Sequence, residues 1–584
     1  MFMNCVFGNS LAWLPDLVLG IDVLTALVIF YYVARYKYYW IGALELIQLA
    51  MVLCFEHCYG HTLVGTSPFL IDNFALIMLL IAGVVGGLIV VYSFGYMEEY
   101  QKEHPECADR RPFFFGVMLV FLIAMFGLVM SNNLLYMYTC WEITSVTSFL
   151  LIGYTQTPEA IRNSFKALWM NLLGGLAFAV AIVLMGSCFH TVELSRFLNI
   201  GSGNVLVQLI AGLLVFCGFT KCAMMPFSGW LLGAMVAPTP TSALLHSSTM
   251  VKAGVFLIIK LCPLMDHTPV GLMAMLVGGF TFFFAGCAAV SQSDGKRVLA
   301  YSTISNLGLI VCCSGVGTAA AAWTAVMLVI FHAVAKSLCF LSVGTAEQQL
   351  GSRNLEVFDG LFCRLPHLGM CMLMGICGMF LAPFGMLVSK WAAMKAVVDA
   401  GQPLLVLLLV FGSSVTMFYW SKWIGKICMY VHGADNKEPG IHGVQWFTLF
   451  TLAGLVELAC LAFPWLSCEV VQPYVAGVYR FGAEVLSQQN LWIMSIMALV
   501  VVTFGHGFRM FAGGKRVLTQ LGGANTGDDL SFVGAAGAKV PVTLSNWYME
   551  DWFGEKRMQC IGYSLCLAII LLGLAYVLGG AYHV

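Results

Sequence analysis

Seven ionisable side chains lie inside long apolar stretches of this sequence, namely Glu142, Lys221, His246, Lys252, His332, Lys336 and Lys390. A Lys or Glu at the centre of a bilayer costs about 2.5–3.5 kcal/mol on insertion scales, so such residues are functional candidates. Burial favours neutral lysine, whereas a carboxylate nearby favours the charged form. A Glu142–Lys221 pair that opens and closes would therefore gate protons. A permanent salt bridge is the structural alternative.

The spacing of the later residues gives part of their arrangement. His332 and Lys336 are four residues apart and share one face of a helix. His246 and Lys252 are six residues apart and point in different directions from the same helix. Each half of the sequence therefore has its own buried lysines, and the first half adds a carboxylate.

Prolines predict two broken helices beside these lysines. Pro226 and Pro238 interrupt one apolar stretch after Lys221, and Pro383 interrupts another before Lys390. Proline removes a backbone donor and clashes with the preceding turn. Discontinuous helices at matching places in two halves indicate a transport site built from inverted repeats, whereas simple proline kinks are the alternative.

The elements that position these residues follow from the composition. The chain has 584 residues, of which 60% are hydrophobic and 10% are charged, and its net charge is −1. Soluble domains are about 25% charged, so soluble and disordered classes are excluded. The absence of a basic excess excludes nucleic-acid binding. The sequence predicts an all-α polytopic membrane protein whose environment is the lipid bilayer.

About sixteen stretches have the roughly 20 apolar residues that a transmembrane helix needs. They lie near 13–34, 40–56, 70–95, 113–130, 133–153, 163–188, 205–225, 240–262, 270–290, 299–317, 320–345, 368–393, 402–424, 444–466, 490–511 and 560–582. Lys and Arg cluster in loops after odd-numbered helices, and the loops after even-numbered helices hold only Arg196 and Arg480. The positive-inside rule then places both termini outside the cytoplasm.

Three further features complete this organisation. The N-terminus has no basic region or cleavage site of a signal peptide, so the first helix is expected to be retained. Residues 512–558 are polar and rich in glycine, which predicts a cytoplasmic loop with a short amphipathic helix near 547–553. The 21 cysteines include no C-x-x-C pair and no Cys/His cluster with metal spacing, so no cofactor or metal is expected in this chain.

Six motifs resemble one family of membrane proteins. They are Tyr138-Thr-Cys-Trp-Glu142-Ile-Thr-Ser, Lys221-Cys-Ala-Met-Met-Pro226-Phe-Ser-Gly-Trp230-Leu, Ala237-Pro-Thr-Pro-Thr-Ser-Ala-Leu-Leu-His246, Thr249-Met-Val-Lys252-Ala-Gly, Asp294-Gly-Lys-Arg297-Val-Leu-Ala-Tyr301-Ser-Thr-Ile-Ser and Phe331-His332-Ala-Val-Ala-Lys336-Ser-Leu. The family is that of the antiporter-like, proton-translocating subunits of complex I, of multi-subunit sodium/proton antiporters and of energy-converting nickel–iron hydrogenases. The resemblance covers about residues 70–430.

The resemblance implies a core of fourteen helices with two inverted five-helix repeats, each with a broken helix. The expected division is N-terminal helices 1–112, repeats 113–262 and 270–424, peripheral helices 444–511, the loop 512–558 and a final helix 559–584. Glu142 and Lys221 resemble the family's coupling pair. His246 and Lys252 resemble the polar connection to the second half. His332 and Lys336 resemble its central relay, and Lys390 resembles the exit residue.

The sequence departs from the family pattern at two places, of which the second counts against complex I. Some relatives have an intramembrane aspartate where this chain has Gly175, and the Gly-rich 512–558 segment does not suit a long lateral helix. The context of Lys252 and the ending Asn546-Trp-Tyr-Met-Glu-Asp-Trp-Phe-Gly-Glu-Lys resemble the hydrogenase branch. Glu457 matches no family position, and packing or proton transfer would both suit it.

The leading hypothesis is a proton-translocating subunit of an energy-converting hydrogenase in the cell inner membrane. Its partners would be other integral membrane subunits and a peripheral redox module that holds the NiFe centre and iron–sulfur clusters. The alternatives are the distal pump subunit of complex I, a gradient-driven sodium/proton antiporter subunit, and an inert membrane scaffold. Hydroxyls such as those of Thr239 and Thr241 would suit a sodium path, whereas the lysines suit protons.

Overall fold

The computed structural model describes residues 5–7, 14–59, 68–380, 385–429, 437–480, 492, 495–496, 499, 520–527, 531–542 and 545–582. Sixteen long helices dominate these residues. They are α1 (Leu14–Tyr36), α2 (Tyr39–Tyr59), α3 (Asn73–Glu103), α4 (Arg111–Met130), α5 (Leu134–Ile152), α6 (Pro158–Phe189), α7 (Val205–Lys221), α8 (Thr239–Lys260), α9 (Pro269–Val290), α10 (Gly295–Val316), α11 (Ala319–Leu350), α12 (Pro366–Phe380), α13 (Gly385–Asp399), α14 (Pro403–Cys428), α15 (Gly443–Leu461) and α16 (Glu555–Tyr582).

The predicted transmembrane helices are confirmed wherever the structure describes the chain. Thirteen helical segments are long and apolar enough to cross a membrane, and α5 and the shorter apolar α7 match two further predicted spans. Pro383 and all of the predicted span 490–511 except residues 492, 495–496 and 499 lie outside the described residues. The division into two inverted repeats stays a prediction.

Local sequence signals fix the ends of several helices. The side chain of Asp294 caps α10 by accepting from the Arg297 N–H, and Thr318 caps α11 in the same way. Gly351 ends α11 with a left-handed conformation (φ 70°) that glycine adopts without strain. Helix α10 therefore begins earlier, and α11 ends later, than predicted. The first residue of α10 and the last residue of α11 lie at the same face of the molecule.

Helices α8, α10 and α11 form the centre of the fold, because their most apolar windows are completely buried. Helices α1, α2 and α16 lie at the periphery, where less than a third of the corresponding window is buried. Helices α9 and α10 approach at backbone distance: a Cβ on Gly278 would lie 2.4 Å from the backbone N of Cys312. Small residues permit this close packing between membrane helices.

The helix broken at Pro226 is confirmed. Helix α7 ends at Lys221, short turns follow through Gly229–Gly233, and Pro238 precedes the first residue of α8. A π-helical segment, Leu244–Ser248, also interrupts α8 at His246, and no local pattern of residues predicts it. Such π-bulges are frequent at functional sites.

Short strands accompany the helices. Strand β1 (Cys5–Phe7) pairs antiparallel with β2 (Phe69–Ile71). The strands β3 (Ala524–Asn525), β4 (Ser531–Val533) and β5 (Lys539–Pro541) form a small antiparallel sheet. The helix Glu550–Phe553 matches the predicted short helix, whereas this sheet was not predicted. In the described part of 512–558 no long helix is present.

Candidate functional site: a buried chain of ionisable residues

The Lys221 amine is held without a carboxylate contact. It lies at the end of α7, fully buried, and donates to the Trp141 carbonyl at 3.0 Å and to the Ser145 hydroxyl at 2.8 Å. The amine also lies 4.9 Å from the centre of the Trp141 ring, within the range of a cation–π interaction. Helix α5 supplies all of these contacts.

Glu142 follows Trp141 on α5, yet its carboxylate makes no hydrogen bond to Lys221. It is 3% exposed, and neither oxygen has a hydrogen-bond partner among the described residues. A Cβ on Gly175 would lie 2.3 Å from Oε1 of Glu142 and 2.5 Å from Oε1 of Gln48. Gly175 therefore makes room for the Glu142 carboxylate, and a larger side chain there would displace it. The predicted Glu142–Lys221 pair is thus close in space but open.

Lys336 repeats the arrangement of Lys221 in the second half. Its fully buried amine donates to the Leu299 carbonyl at 3.2 Å and to the Ser302 hydroxyl. It lies 5.0 Å from the centre of the Trp420 ring. Both lysines thus use a backbone carbonyl, a serine and a tryptophan. The carbonyl and the hydroxyl accept a hydrogen bond from a neutral amine as well as from a charged one, whereas the ring favours the charged amine.

His332, four residues before Lys336, connects the two halves. Its Nδ1 lies 2.8 Å from the amine of Lys252 on α8, and its Nε2 has no hydrogen-bond partner among the described residues. Both side chains are fully buried. The predicted connection between Lys252 and the His332–Lys336 pair is therefore present as a direct contact.

His246 and Lys390 are the two remaining predicted residues. His246 is fully buried between the rings of Trp230 and Phe340, and neither ring nitrogen has a hydrogen-bond partner in the described parts of the chain. Lys390 is 8% exposed on α13 and interacts electrostatically with Lys336 and His332. All seven residues of this buried series thus lie inside the fold, and electrostatic interactions link Glu142 with Lys221, and His332 with Lys252, Lys336 and Lys390.

Sequence reasoning missed two carboxylates near Glu142. Asp22 of α1 and Glu45 of α2 are 7% and 5% exposed, and both interact electrostatically with Glu142. Oδ2 of Asp22 accepts from the Thr139 hydroxyl at 2.9 Å. The signal that identified the other residues, an ionisable side chain inside an apolar run, applies equally to both. By contrast, Glu457 is only partly buried on α15.

Comparison with known proteins shows which family the chain resembles. Residues 131–416 match the family described as "NADH:quinone oxidoreductase/Mrp antiporter, TM", and residues 62–104 match "NADH-Ubiquinone oxidoreductase (complex I), chain 5 N-terminus". The first match contains all seven ionisable residues. The fold and the buried series define an antiporter-like membrane subunit. The chain belongs to the complex I/Mrp antiporter family.

Curated relatives include components of antiporters. A probable K(+)/H(+) antiporter component of Rhizobium meliloti is 38% identical over 305 residues, which are 50% of this chain and 29% of the relative. A Na(+)/H(+) antiporter component of Staphylococcus aureus is 30% identical over 481 residues, which are 75% of this chain and 59% of the relative. The chain thus spans less than two thirds of the length of these relatives.

Two solved structures share the fold. A chain of the Mrp complex from Dietzia sp. superposes with a TM-score of 0.63 at 25% identity, covering 86% of this chain and 57% of that one. A chain of an archaeal membrane-bound sulfane sulfur reductase superposes with a TM-score of 0.65 at 21% identity, covering 81% of this chain and 100% of that one. The second likeness concerns the fold alone.

Proposed function

We propose that this chain translocates protons along the series Glu142, Lys221, His246, Lys252, His332, Lys336 and Lys390. One observation carries the proposal: the amines of Lys221 and Lys336 rest on a carbonyl and a hydroxyl, while Glu142 and His246 have no hydrogen-bond partners among the described residues. A hydroxyl or carbonyl partner leaves a lysine free to lose its proton, whereas a close carboxylate would hold the charge.

The geometry suits a gate at Glu142 and Lys221. When the Lys221 amine turns from Ser145 toward the Glu142 carboxylate, attraction in this buried region favours the charged amine. When it turns back, the proton can pass to the next acceptor. His332 with Lys252, and then Lys336 and Lys390, would receive the proton in the second half.

The energy source is proposed to be electron transfer in partner subunits of an energy-converting hydrogenase. This follows the resemblance of the Lys252 context and of residues 546–556 to the hydrogenase branch. The NiFe centre and iron–sulfur clusters would belong to a peripheral module, and other integral membrane subunits would join it to this chain. We place the complex in the cell inner membrane with both termini outside the cytoplasm.

A second candidate function is gradient-driven exchange of sodium or potassium for protons. The names of the relatives from Staphylococcus aureus and Rhizobium meliloti favour it. The buried hydroxyl of Thr241, which has no hydrogen-bond partner among the described residues, is one oxygen that a cation path would use. Dependence of proton movement on sodium or potassium separates this candidate from the first.

The test uses the native complex, purified gently through a tag on this chain. Glu142→Ala or Lys221→Ala is expected to abolish proton translocation in vesicles while assembly is preserved. Unchanged proton uptake by both variants would overturn the proposed relay. Nickel with excess iron would support the hydrogenase, iron with flavin but no nickel a complex I-like enzyme, and no metal an antiporter.

A further inference from the structure

A partly exposed carboxylate meets the buried centre of the fold near the end of α11. The side chain of Glu347 is 29% exposed, and its Oε2 accepts a hydrogen bond from the Thr239 hydroxyl at 3.4 Å. The same oxygen lies 3.5 Å from the amine of Lys296, whose side chain is only 3% exposed. Arg353, at 3.9 Å from Oε1, is a second cation that faces this carboxylate. Glu347 therefore lies where solvent reaches a residue of α8.

Thr239 is placed so that its hydroxyl can both donate and accept. It is fully buried at the start of α8, and it accepts a hydrogen bond from the Tyr96 hydroxyl of α3 at 3.2 Å while donating to Glu347. A Cβ on Gly344 would lie 2.5 Å from Cγ2 of Thr239. The missing side chain of Gly344 thus lets α11 approach, so that Glu347, one turn later, reaches Thr239.

Further polar groups follow Thr239 inward along α8. Ser242 and His246 come at successive intervals of about one helical turn, and both are fully buried. The Ser242 hydroxyl and both ring nitrogens of His246 have no hydrogen-bond partner among the described residues. Buried polar groups are nearly always satisfied, and ordered water commonly does this where protein groups do not. Thr239, Ser242 and His246 therefore mark a line along which water would join Glu347 to the central series.

We propose that Glu347 is the port through which protons enter the buried series, by way of Thr239 and Ser242 to His246. The port lies at the face where the Arg353 loop joins α11. The inference rests on the proposed function and names the point of entry. The Glu347 carboxylate takes a proton from solvent hydronium, each hydroxyl releases one proton as it accepts another, and the proton ends on a ring nitrogen of His246. No other bond forms or breaks.

The experiment measures proton transfer by the assembled complex in membrane vesicles, as a function of pH on the Glu347 side. Glu347→Gln is expected to lower the rate about tenfold and to flatten its pH dependence, because the positioned proton acceptor is lost. Formate in the medium should restore part of the rate, since a small diffusible acid can deliver protons in place of the carboxylate. Ser242→Ala should lower the rate without changing the pH dependence.

Glu98→Gln is the matched control. Glu98 is an exposed carboxylate near Tyr96 at the same end of α3, where it pairs with Lys102 at 3.3 Å, and this variant should keep the normal rate. If Lys221→Ala abolishes transfer but Glu347→Gln keeps the normal rate and pH profile, the port is wrong and the proposed function stands. If Lys221→Ala also leaves transfer intact, the proposed function itself is wrong. If Glu347→Gln fails to assemble, two other variants test the port. Glu347→Asp keeps a carboxylate and should transfer protons. Ser242→Ala should transfer them more slowly, and a normal rate in that variant would overturn the port.

Discussion

The amine of Lys252 on α8 lies 2.8 Å from Nδ1 of His332 on α11. This contact joins the half of the chain that holds Glu142 and Lys221 to the half that holds Lys336 and Lys390. A hydrogen bond between an amine and an imidazole needs a lone pair on one nitrogen and a proton on the other. The contact is therefore a place where one proton, and not two, can be shared between the halves.

We expect Lys252→Met to slow proton translocation by about tenfold or more while the complex still assembles, because the shared proton position is removed. His332→Leu should have a similar effect. The double variant should be no slower than either single variant, since residues that act through one contact are not additive. The measurement is proton uptake by vesicles that contain the assembled complex.

Lys395→Met is the control for this series. Lys395 is an exposed lysine that pairs with Asp399 at 2.8 Å on α13, so its loss should leave translocation unchanged. Normal translocation by Lys252→Met would show that protons bypass the contact between the halves.

Gly344→Ala tests the close approach of α8 and α11. The added methyl group would meet Cγ2 and Cβ of Thr239 at 2.5 and 2.8 Å, and overpacking of this kind costs about 1–3 kcal/mol. We expect a lower thermal unfolding temperature of the purified complex. Gly454→Ala on α15 is the control, because nothing lies within 4 Å of the added carbon and alanine favours the helix. Equal unfolding temperatures for the two variants would mean that α11 shifts to accommodate the methyl group without loss of stability.

Glu356, in the loop after α11, forms hydrogen bonds with the segment that precedes α16. It accepts from the Asn546 N–H at 3.1 Å and from the Tyr548 hydroxyl at 2.5 Å, and it pairs with Lys426 at 2.5 Å. Burial alone would raise the pKa of this carboxyl, but these hydrogen bonds outweigh it and hold the pKa below its usual value. The ionised form therefore stabilises the attachment above its ordinary pKa, and this contribution is lost as the pH falls through the lower value.

We therefore expect residues 545–553 to lose protection from hydrogen exchange as the pH falls below about 4.5, the ordinary pKa of a glutamate. Glu356→Gln should reduce the protection at neutral pH and remove this pH dependence. Glu550→Gln, in the same segment, should behave like the natural chain. Persistent pH dependence in Glu356→Gln would assign the effect to another group.

The sequence predicts most of the helices because their signals are local. Apolar runs of about 20 residues define them, and Pro226 marks the break after Lys221. The seven site residues follow from the same signal, the mismatch between a charged side chain and an apolar run. The structure adds that all seven are buried and that Lys252 contacts His332, which their positions in the sequence do not show.

Other features depend on distant parts of the chain and leave no local signal. The Glu142 carboxylate occupies room left by Gly175 of α6, and the π-helical segment at His246 lies in the completely buried α8. The small sheet of β3, β4 and β5 consists of strands of two or three residues, too short for alternation to show. Asp22 and Glu45, by contrast, have the same local signal as the seven site residues.

The attachment of the C-terminal segment makes the predicted orientation testable. Arg297 and Tyr301, at the start of α10, both bond to Glu555, and Glu356 holds Asn546. The segment before α16 therefore lies on the face that the positive-inside rule assigns to the cytoplasm. We expect a protease site inserted at Gly523 to be cut only from the cytoplasmic side, and one inserted at Gly203, in the loop between α6 and α7, only from the opposite side. Gly203 has nothing within 4 Å of an added carbon. The other insert goes on the Gly522 side of Gly523, because Gly522 also has nothing within 4 Å, whereas a Cβ on Gly523 itself would lie 2.4 Å from the Phe532 ring. Cleavage of the Gly523 insert from the outside would mean that the predicted orientation of every helix is wrong. Glu347 would then take up protons from the opposite side of the membrane.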